Sequence, residues 1–211
     1  MTPMSPDAPP VRLFKSPILE ALTHFTPVGV VILWTPVIVF CAWLGYFSPM
    51  THTQWLLALL LGLFSWTFIE YLLHRFLFHR NFRSERLKRM QYMGHGVHHD
   101  QPMVKTRLVM PPLGAIPTAA IIYGLFYLVV GVVLDLVMWV NPLFAGMMTG
   151  YIIYDMLHYA YHHVNLPGKW FQTMRKHHMR HHGIDMSRRF GVSTPLWDYI
   201  FGTMPGETKT S

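Results

Sequence analysis

The sequence is poor in cysteine and in charge. Cys41 is the single cysteine among 211 residues, and only 13% of the residues are charged, of which 10 are acidic. One cysteine excludes an intramolecular disulfide or a thiolate cluster, so any metal here must be held by nitrogen and oxygen. Since 52% of the residues are hydrophobic, the composition differs from that of an ordinary soluble domain. It predicts one integral membrane domain.

The excess of basic over acidic residues does not indicate a nucleic-acid-binding protein. The formal net charge is +7, but the lysines and arginines lie in segments that border apolar runs, which is the distribution that a membrane topology produces. We therefore expect a membrane as partner and no nucleic acid.

Long apolar runs predict an all-α membrane fold. Four runs are long enough to cross the hydrocarbon core as helices, and they fall near residues 27–47, 54–73, 113–134 and 142–164. Residues 1–10, with four prolines, are interpreted as a disordered leader, and residues 11–211 as a single domain. The mixed apolar and charged residues 11–25 favour a short interfacial helix.

The basic residues also predict the orientation of these spans. With four spans, all 17 lysines and arginines lie on the side of the N-terminus, while the two opposite turns hold none. By the positive-inside rule that side is cytoplasmic. Both termini and the polar segments would then form a cytoplasmic helical cap, to which Arg80, Lys105 and Arg107 could add contacts with a lipid head group.

Histidine is the residue that the chain has in excess. Of 14 histidines, only His24 and His52 lie outside three clusters, and these two are interpreted as ordinary interfacial residues. The clusters occur in EYLLHRFLFH, in HGVHHDQP, and in YDMLHYAYHH followed by KHHMRHH. Their spacing of three and four residues places rings on one helix face, and a shared cytoplasmic face would bring the clusters together.

Ten of these histidines are predicted ligands of a dimetal centre: His74, His79, His95, His98, His99, His158, His162, His178, His181 and His182. Ten imidazoles are too many for one metal ion and suit two. His163 and His177 each neighbour a better-placed ligand, so their roles stay open. Glu70 and Asp155 precede His74 and His158 by one turn, and we expect these carboxylates to orient the ligand rings.

Ligand type alone does not choose the metal, because imidazole suits iron, copper, nickel and zinc. A site at the end of apolar helices is placed to act on a lipid chain, and attack on an unactivated C–H bond requires oxygen activation. Zinc has no redox chemistry. We therefore expect two iron ions with O2 as co-substrate, although zinc could occupy the same rings in a purified sample.

The motifs resemble those of the membrane fatty acid hydroxylase superfamily, most of all its fatty acid 2-hydroxylases of sphingolipid metabolism. The histidine motifs occur across the superfamily. The resemblance extends through VMPP from Val109 and LFAGMMTGYIIYDMLHY, and its more specific motifs are RLFKSPILE from Arg12, YDMLHY and FGVSTPLWDYIFGT. The resemblance implies that the ten histidines above hold the metals and that His178, rather than His177, is a ligand. His163 departs from the family pattern.

The resemblance implies a monooxygenase that hydroxylates C2 of a long fatty acyl chain. The sequence contains neither an HPGG haem motif nor a GxGxxG nucleotide motif, so we expect a separate electron donor, cytochrome b5-like or ferredoxin-like. Two alternatives stay open. One is a carotenoid or sterol ring hydroxylase of the same superfamily, and the other is a non-enzymatic histidine-rich metal transporter or haem-binding membrane protein.

Overall fold

The fold was described from a computed structural model that covers residues 9–205, so most of the expected leader lies outside the described residues. This part of the chain is helical and contains no strand. Its helices are α1 (Pro17–Ala21), α2 (Pro27–Tyr46), α3 (His52–Leu72), α4 (Glu85–Gln91), α5 (Val97–Asp100), α6 (Pro112–Phe126), α7 (Val137–His163), α8 (Lys169–Gly183) and α9 (Leu196–Ile200).

Three helical segments are long and apolar enough to cross a membrane: Pro27–Tyr46, His52–Phe78 and Lys105–Val133. The second consists of α3 and a π-helical extension, Leu73–Phe78, and the third contains α6 and a π-helical extension, Tyr127–Val133. These segments correspond to the first three predicted spans. The described chain is therefore a membrane protein whose apolar helices present large exposed hydrophobic side chains.

Helix α7, the fourth long helix, begins earlier than the sequence predicted. Its 27 residues start at Val137, whereas the predicted span starts at residue 142. Asp135 adopts a left-handed conformation with φ of 56°, and this single turn reverses the chain. The proline expected to open the helix, Pro142, lies inside it instead.

Close packing buries α7 against α2 and α3. A Cβ atom added at Gly146 would lie 2.0 Å from the Leu59 carbonyl oxygen, and one added at Gly62 would lie 2.0 Å from the Leu143 carbonyl oxygen. These glycines let the backbones of α3 and α7 touch, as small residues do in helix pairs within membranes. This contact fixes the relative positions of the two helix ends, and therefore of the histidines located there.

Residues 11–25, here called the N-terminal strap, are helical only in α1 rather than throughout. The Glu20 carboxylate accepts hydrogen bonds from the backbone N–H groups of Leu13, at 2.9 Å, and Phe14, at 2.8 Å. These bonds hold the first part of the strap in a non-helical form. Glu20 also pairs with the buried Arg107, and the Phe25 N–H donates to the Thr106 carbonyl at 2.8 Å, so the strap is tied to the start of the third apolar segment.

Candidate metal centre

The predicted ligands come from five elements that meet where α3 and α7 end. His74 lies in the π-helical extension of α3, His95 lies in a second π-helical turn, Tyr92–Gly96, and the others lie on α5, α7 and α8 or directly after the α3 extension. Residues five apart point about 140° away from each other on an α-helix. The wider turn, in which the His79 N–H donates to the His74 carbonyl at 3.1 Å, brings the two rings to 4.9 Å between centroids.

The ten predicted ligands form two groups of five. In each group the candidate ligand atoms all lie within 4.8 Å of one another. The first histidine group contains His74, His79, His95, His99 and His181, and the second contains His98, His158, His162, His178 and His182. Each group contains histidines from several elements that are distant in sequence, so neither group can form from one motif alone.

The nitrogen separations fit two metal ions. In the first group, His95 Nε2 lies 3.1 Å from His74 Nε2 and 3.0 Å from His99 Nε2. In the second group, His98 Nε2 lies 2.9 Å from His158 Nε2 and 3.0 Å from His182 Nε2. Nitrogens at right angles around an ion about 2.1 Å away are separated by about 3.0 Å.

Hydrogen bonding alone does not account for this arrangement. A neutral ring has at most one N–H to share, yet His95 Nε2 and His98 Nε2 each face two other ring nitrogens. In the second group, all five Nδ1 atoms are buried without a hydrogen-bond partner among residues 9–205. Converging Nε2 lone pairs are instead the donor set that a metal takes. The residues present fit the proposed ions.

The histidines of the two groups that lie outside the apolar segments are neutral at pH 7. Burial, reinforced by repulsion from neighbouring rings, lowers the pKa of His79 to about 3 and that of His99 to about 2. Burial is also the main cause that lowers the pKa of His181 to about 4, and it keeps the pKa values of His95 and His178 well below their ordinary range. Neutral imidazole is the form that binds metal.

A loop carries the backbone carbonyls that orient two ligands of the first group. His74 Nδ1 donates to the Phe190 carbonyl at 2.5 Å, and His181 Nδ1 donates to the Arg188 carbonyl at 2.7 Å. With the proton held on Nδ1, Nε2 keeps its lone pair for a metal. We call residues 188–193 the carbonyl loop.

Two buried carboxylates fix this loop. Asp198 accepts from the N–H groups of Phe190 and Gly191, both at 2.8 Å. Glu70 accepts from the N–H groups of Val192, at 2.5 Å, and Ser193, at 2.9 Å. Each carboxylate therefore satisfies backbone N–H groups of a loop whose described residues belong to no helix or sheet.

The expected contact between Glu70 and His74 is replaced by this arrangement. Glu70 reaches across to the carbonyl loop, and the ring proton of His74 goes to the Phe190 carbonyl instead. Asp155 is likewise not bonded to His158, since its Oδ2 atom and His158 Nδ1 are both buried without a partner among the described residues. One helical turn places such pairs on one face but does not aim one side chain at the other.

Asp198 is the residue that the sequence pattern did not single out. It lies in FGVSTPLWDYIFGT and, besides the loop, accepts from Thr203 Oγ1 at 2.7 Å and from His177 Nε2 at 3.2 Å. Burial alone would raise the pKa of Asp198, but these hydrogen bonds outweigh burial and lower it. Asp198 is the only charged residue of this motif, and that was the signal by which the sequence could have indicated its role.

The two histidines with open roles lie outside both groups. His177 pairs with Asp198, so its ring supports the carbonyl loop. His163, at the end of α7, has a buried Nε2 with no hydrogen-bond partner in the described part of the chain. The two groups are complete without either residue.

Cavities of different character adjoin the two histidine groups. A cavity of about 720 Å³ touches His79, His95, His99 and His182, and its wall includes the polar residues Lys88 and Asp100. A small inner cavity of about 30 Å³ touches His95, His98 and His158. An apolar outer cavity of about 250 Å³ shares Phe78, Met93 and Met110 with the inner one.

Comparison with known proteins identifies a family. The sequence model of the fatty acid hydroxylase family matches residues 59–203, the range in which all ten predicted ligands lie. A solved structure of scs7p, in which only the hydroxylase domain is visible, superposes with a TM-score of 0.81 at 35% identity and covers 89% of this chain and 70% of that one.

Curated relatives share most of this chain. The fatty acid 2-hydroxylase of Homo sapiens is 35% identical over 94% of this chain and 58% of its own length. The dihydroceramide fatty acyl 2-hydroxylase of Arabidopsis thaliana is 34% identical over 92% of this chain and 80% of its own length. The chain thus spans little more than half of the mammalian relatives.

Proposed function

Because this chain belongs to the fatty acid hydroxylase family, we propose that it is a membrane monooxygenase that hydroxylates C2 of a long fatty acyl chain in a sphingolipid-type lipid. The observation that carries the proposal is the pair of five-histidine groups at the point where apolar helices end. Relatives named as 2-hydroxylases supply the position on the chain.

Two iron ions are the proposed cofactor, one for each histidine group, with zinc as a substitute in purified material. With O2, the ions would supply the power to convert a C–H bond into C–OH, while the second oxygen atom leaves as water after uptake of two electrons and two protons. The protein's part is to hold ten neutral rings, to fix the ring protons of His74 and His181 on Nδ1, and to exclude water by burial.

The electrons are proposed to come from a separate protein, cytochrome b5-like or ferredoxin-like. The cavity of about 720 Å³ beside His99 and His182 offers the polar approach for O2 and electrons. Helix α4 carries exposed basic residues, and its Lys88 lines this cavity. A donor protein with an acidic surface would therefore suit this approach.

The topology proposed for the domain, residues 11–211, has four spans, with α7 as the fourth, and a cap on the cytoplasmic side. Helix α7 is long enough at 27 residues, and its polar residues Asp155, His158 and His162 are buried rather than facing lipid. An even number of spans keeps all ten ligands in one compartment.

Lipid analysis tests the function. Membranes that contain the protein, supplied with a reductant, a donor protein and O2, are expected to form 2-hydroxy acyl lipids. His181→Ala, which removes a ligand of the first group, and His98→Ala, which removes one of the second, should abolish the product, since each breaks one histidine group. His163→Ala serves as the matched control, because His163 belongs to neither group.

Mass spectrometry of total lipids separates the alternatives. Oxygen gained by a sterol or carotenoid would assign the other hydroxylase class. A haem absorption band or metal flux without any hydroxylated lipid would overturn the enzyme assignment.

A further inference from the structure

The apolar outer cavity lies where a lipid tail can leave the membrane. It is formed by the first turn of α6, the N-terminal strap and the cap, and its wall contains Phe14, Phe78, Met90, Met93, Met110 and Leu113. Leu113 and Met90 are also exposed on the protein surface, at 52% and 57%. Leu113 belongs to a segment apolar enough to cross the membrane, so the cavity adjoins the hydrocarbon region.

The outer cavity adjoins the inner cavity, and the inner cavity touches the histidine groups. Its shared wall residues with the inner cavity include Thr23, Phe78, Met93 and Met110. The inner cavity touches His95 of the first group and His98 and His158 of the second. At about 30 Å³ it has room for roughly two water-sized groups, which suits the acyl carbonyl and its neighbouring carbon rather than a whole chain.

Unpartnered polar atoms lie at the inner end. Arg107 lines the inner cavity, and its side chain is 2% exposed. Its Nη2 atom pairs with Glu20, but its Nη1 atom has no hydrogen-bond partner in the described part of the chain. Asp155, on the same wall, has an unpartnered Oδ2. Burying such groups unsatisfied is costly, and the polar end of an amphipathic ligand would satisfy them.

The wall chemistry selects one occupant. Methionines give an adaptable apolar surface, and the outer cavity has no charged residue in its lining. The polar cavity of about 720 Å³ contains Lys88 and Asp100 in its wall, where burying a tail would desolvate charge. A single acyl chain therefore fits the outer cavity and not the polar one.

We propose that the outer and inner cavities together form a lateral acyl-chain port, through which the tail of the lipid enters from the membrane between α6 and the strap while its carbonyl end reaches the Arg107 side of the histidine groups. This assignment rests on the proposed function for its substrate and names the route, the wall and the head contact. If the Arg107 guanidinium holds the carbonyl oxygen on C1, the adjacent carbon C2 lies next to the histidine groups.

Two glycines of α6 make a matched test. A Cβ atom at Gly114, on the port wall, would lie 3.6 Å from Met110 Cγ, an ordinary contact, so a side chain is accepted by the fold and projects at the port. A Cβ atom at Gly124, in the same helix, meets nothing within 4 Å. Gly114→Phe obstructs the port, and Gly124→Phe adds the same ring elsewhere.

The first measurement is turnover of a long-chain ceramide in vesicles. Gly114→Phe is expected to lower kcat/KM by at least about tenfold, the effect of a lost apolar pocket contact, while Gly124→Phe stays within twofold of the wild type. Metal content and the thermal unfolding midpoint are measured on both variants, so that a folding defect is recognised. Equal kcat/KM for the two correctly folded variants would overturn the port.

The second measurement needs no turnover. A ceramide with a photoreactive diazirine in its acyl chain is irradiated with the wild-type protein, and labelled peptides are mapped. We expect labels on the segments that contain Met90, Met93 and Leu113, lost in Gly114→Phe and kept in Gly124→Phe. Labels confined to other segments would refute the port. Labels at the port without any hydroxylated product would refute the proposed function instead and leave the port standing.

Discussion

At the scale of single residues, Asp198 links the C-terminal motif to the first histidine group. Its carboxylate holds the N–H groups of Phe190 and Gly191, and the carbonyl of Phe190 orients His74. The residues that spacing predicts are the ten candidate ligands. Their orienting partners are backbone carbonyls, which any residue carries, so no side-chain pattern could reveal them.

The Asp198→Asn substitution tests this link. An amide replaces one acceptor oxygen with a donor that faces the backbone N–H of Phe190 or of Gly191, so the carbonyl loop should loosen and the first group should bind metal more weakly. We expect the affinity for one of the two ions to fall about 10- to 100-fold, as for other residues that orient ligands.

A chelator competition titration measures both affinities. Glu85→Gln is the control, because Glu85 lies in an exposed pair with Lys88, and such pairs contribute little to stability. Equal loss at both ions, or no loss, would contradict a role confined to the carbonyl loop.

At the scale of elements, α7 is the helix on which the other long helices align. The sequence predicted a helix here because the run is apolar and ends in the stripe of Asp155, His158 and His162. It did not predict that Gly146 and Gly150 form the contact surface. Their role depends on which helix lies opposite, and no local pattern contains that information.

Gly146→Val is expected to disrupt this packing. Its new Cβ would lie 2.0 Å from the Leu59 carbonyl, so α3 and α7 must move apart, at a cost of about 1–3 kcal/mol or more in the free energy of unfolding. The thermal midpoint of the protein in detergent should fall clearly. Gly124→Val, in open space on α6, should leave the midpoint nearly unchanged, and a comparable fall in both variants would argue against a specific α3–α7 contact.

At the scale of the whole molecule, two independent features require the same membrane topology. They are the distribution of basic residues and the position of the histidine groups. A single site built from three separate clusters requires them on one side of the membrane. The proposed four-span topology would meet this demand, with the basic segments on the cytoplasmic side.

Cysteine labelling tests the topology. Cys41 is the single cysteine and is buried, so new exposed cysteines can be read against a low background. Ser84→Cys and Ser187→Cys, in the cap, should react with an impermeant maleimide from the cytoplasmic face of sealed vesicles. Thr53→Cys, at the start of α3, should react only from the other face. Reaction of Ser84→Cys and Ser187→Cys from opposite faces would exclude an even number of spans between them.

The sequence by itself determined the membrane character, the three apolar segments and the ten candidate ligands, because hydrophobic length and histidine spacing along a helix are local properties. Only the tertiary structure decided how the ligands divide into two groups of five, for it depends on how α3, α5, α7 and α8 meet. His98 and His99 are neighbours in sequence, yet they belong to different groups. Adjacent helical residues point about 100° apart, and the surrounding helices decide which rings each one joins.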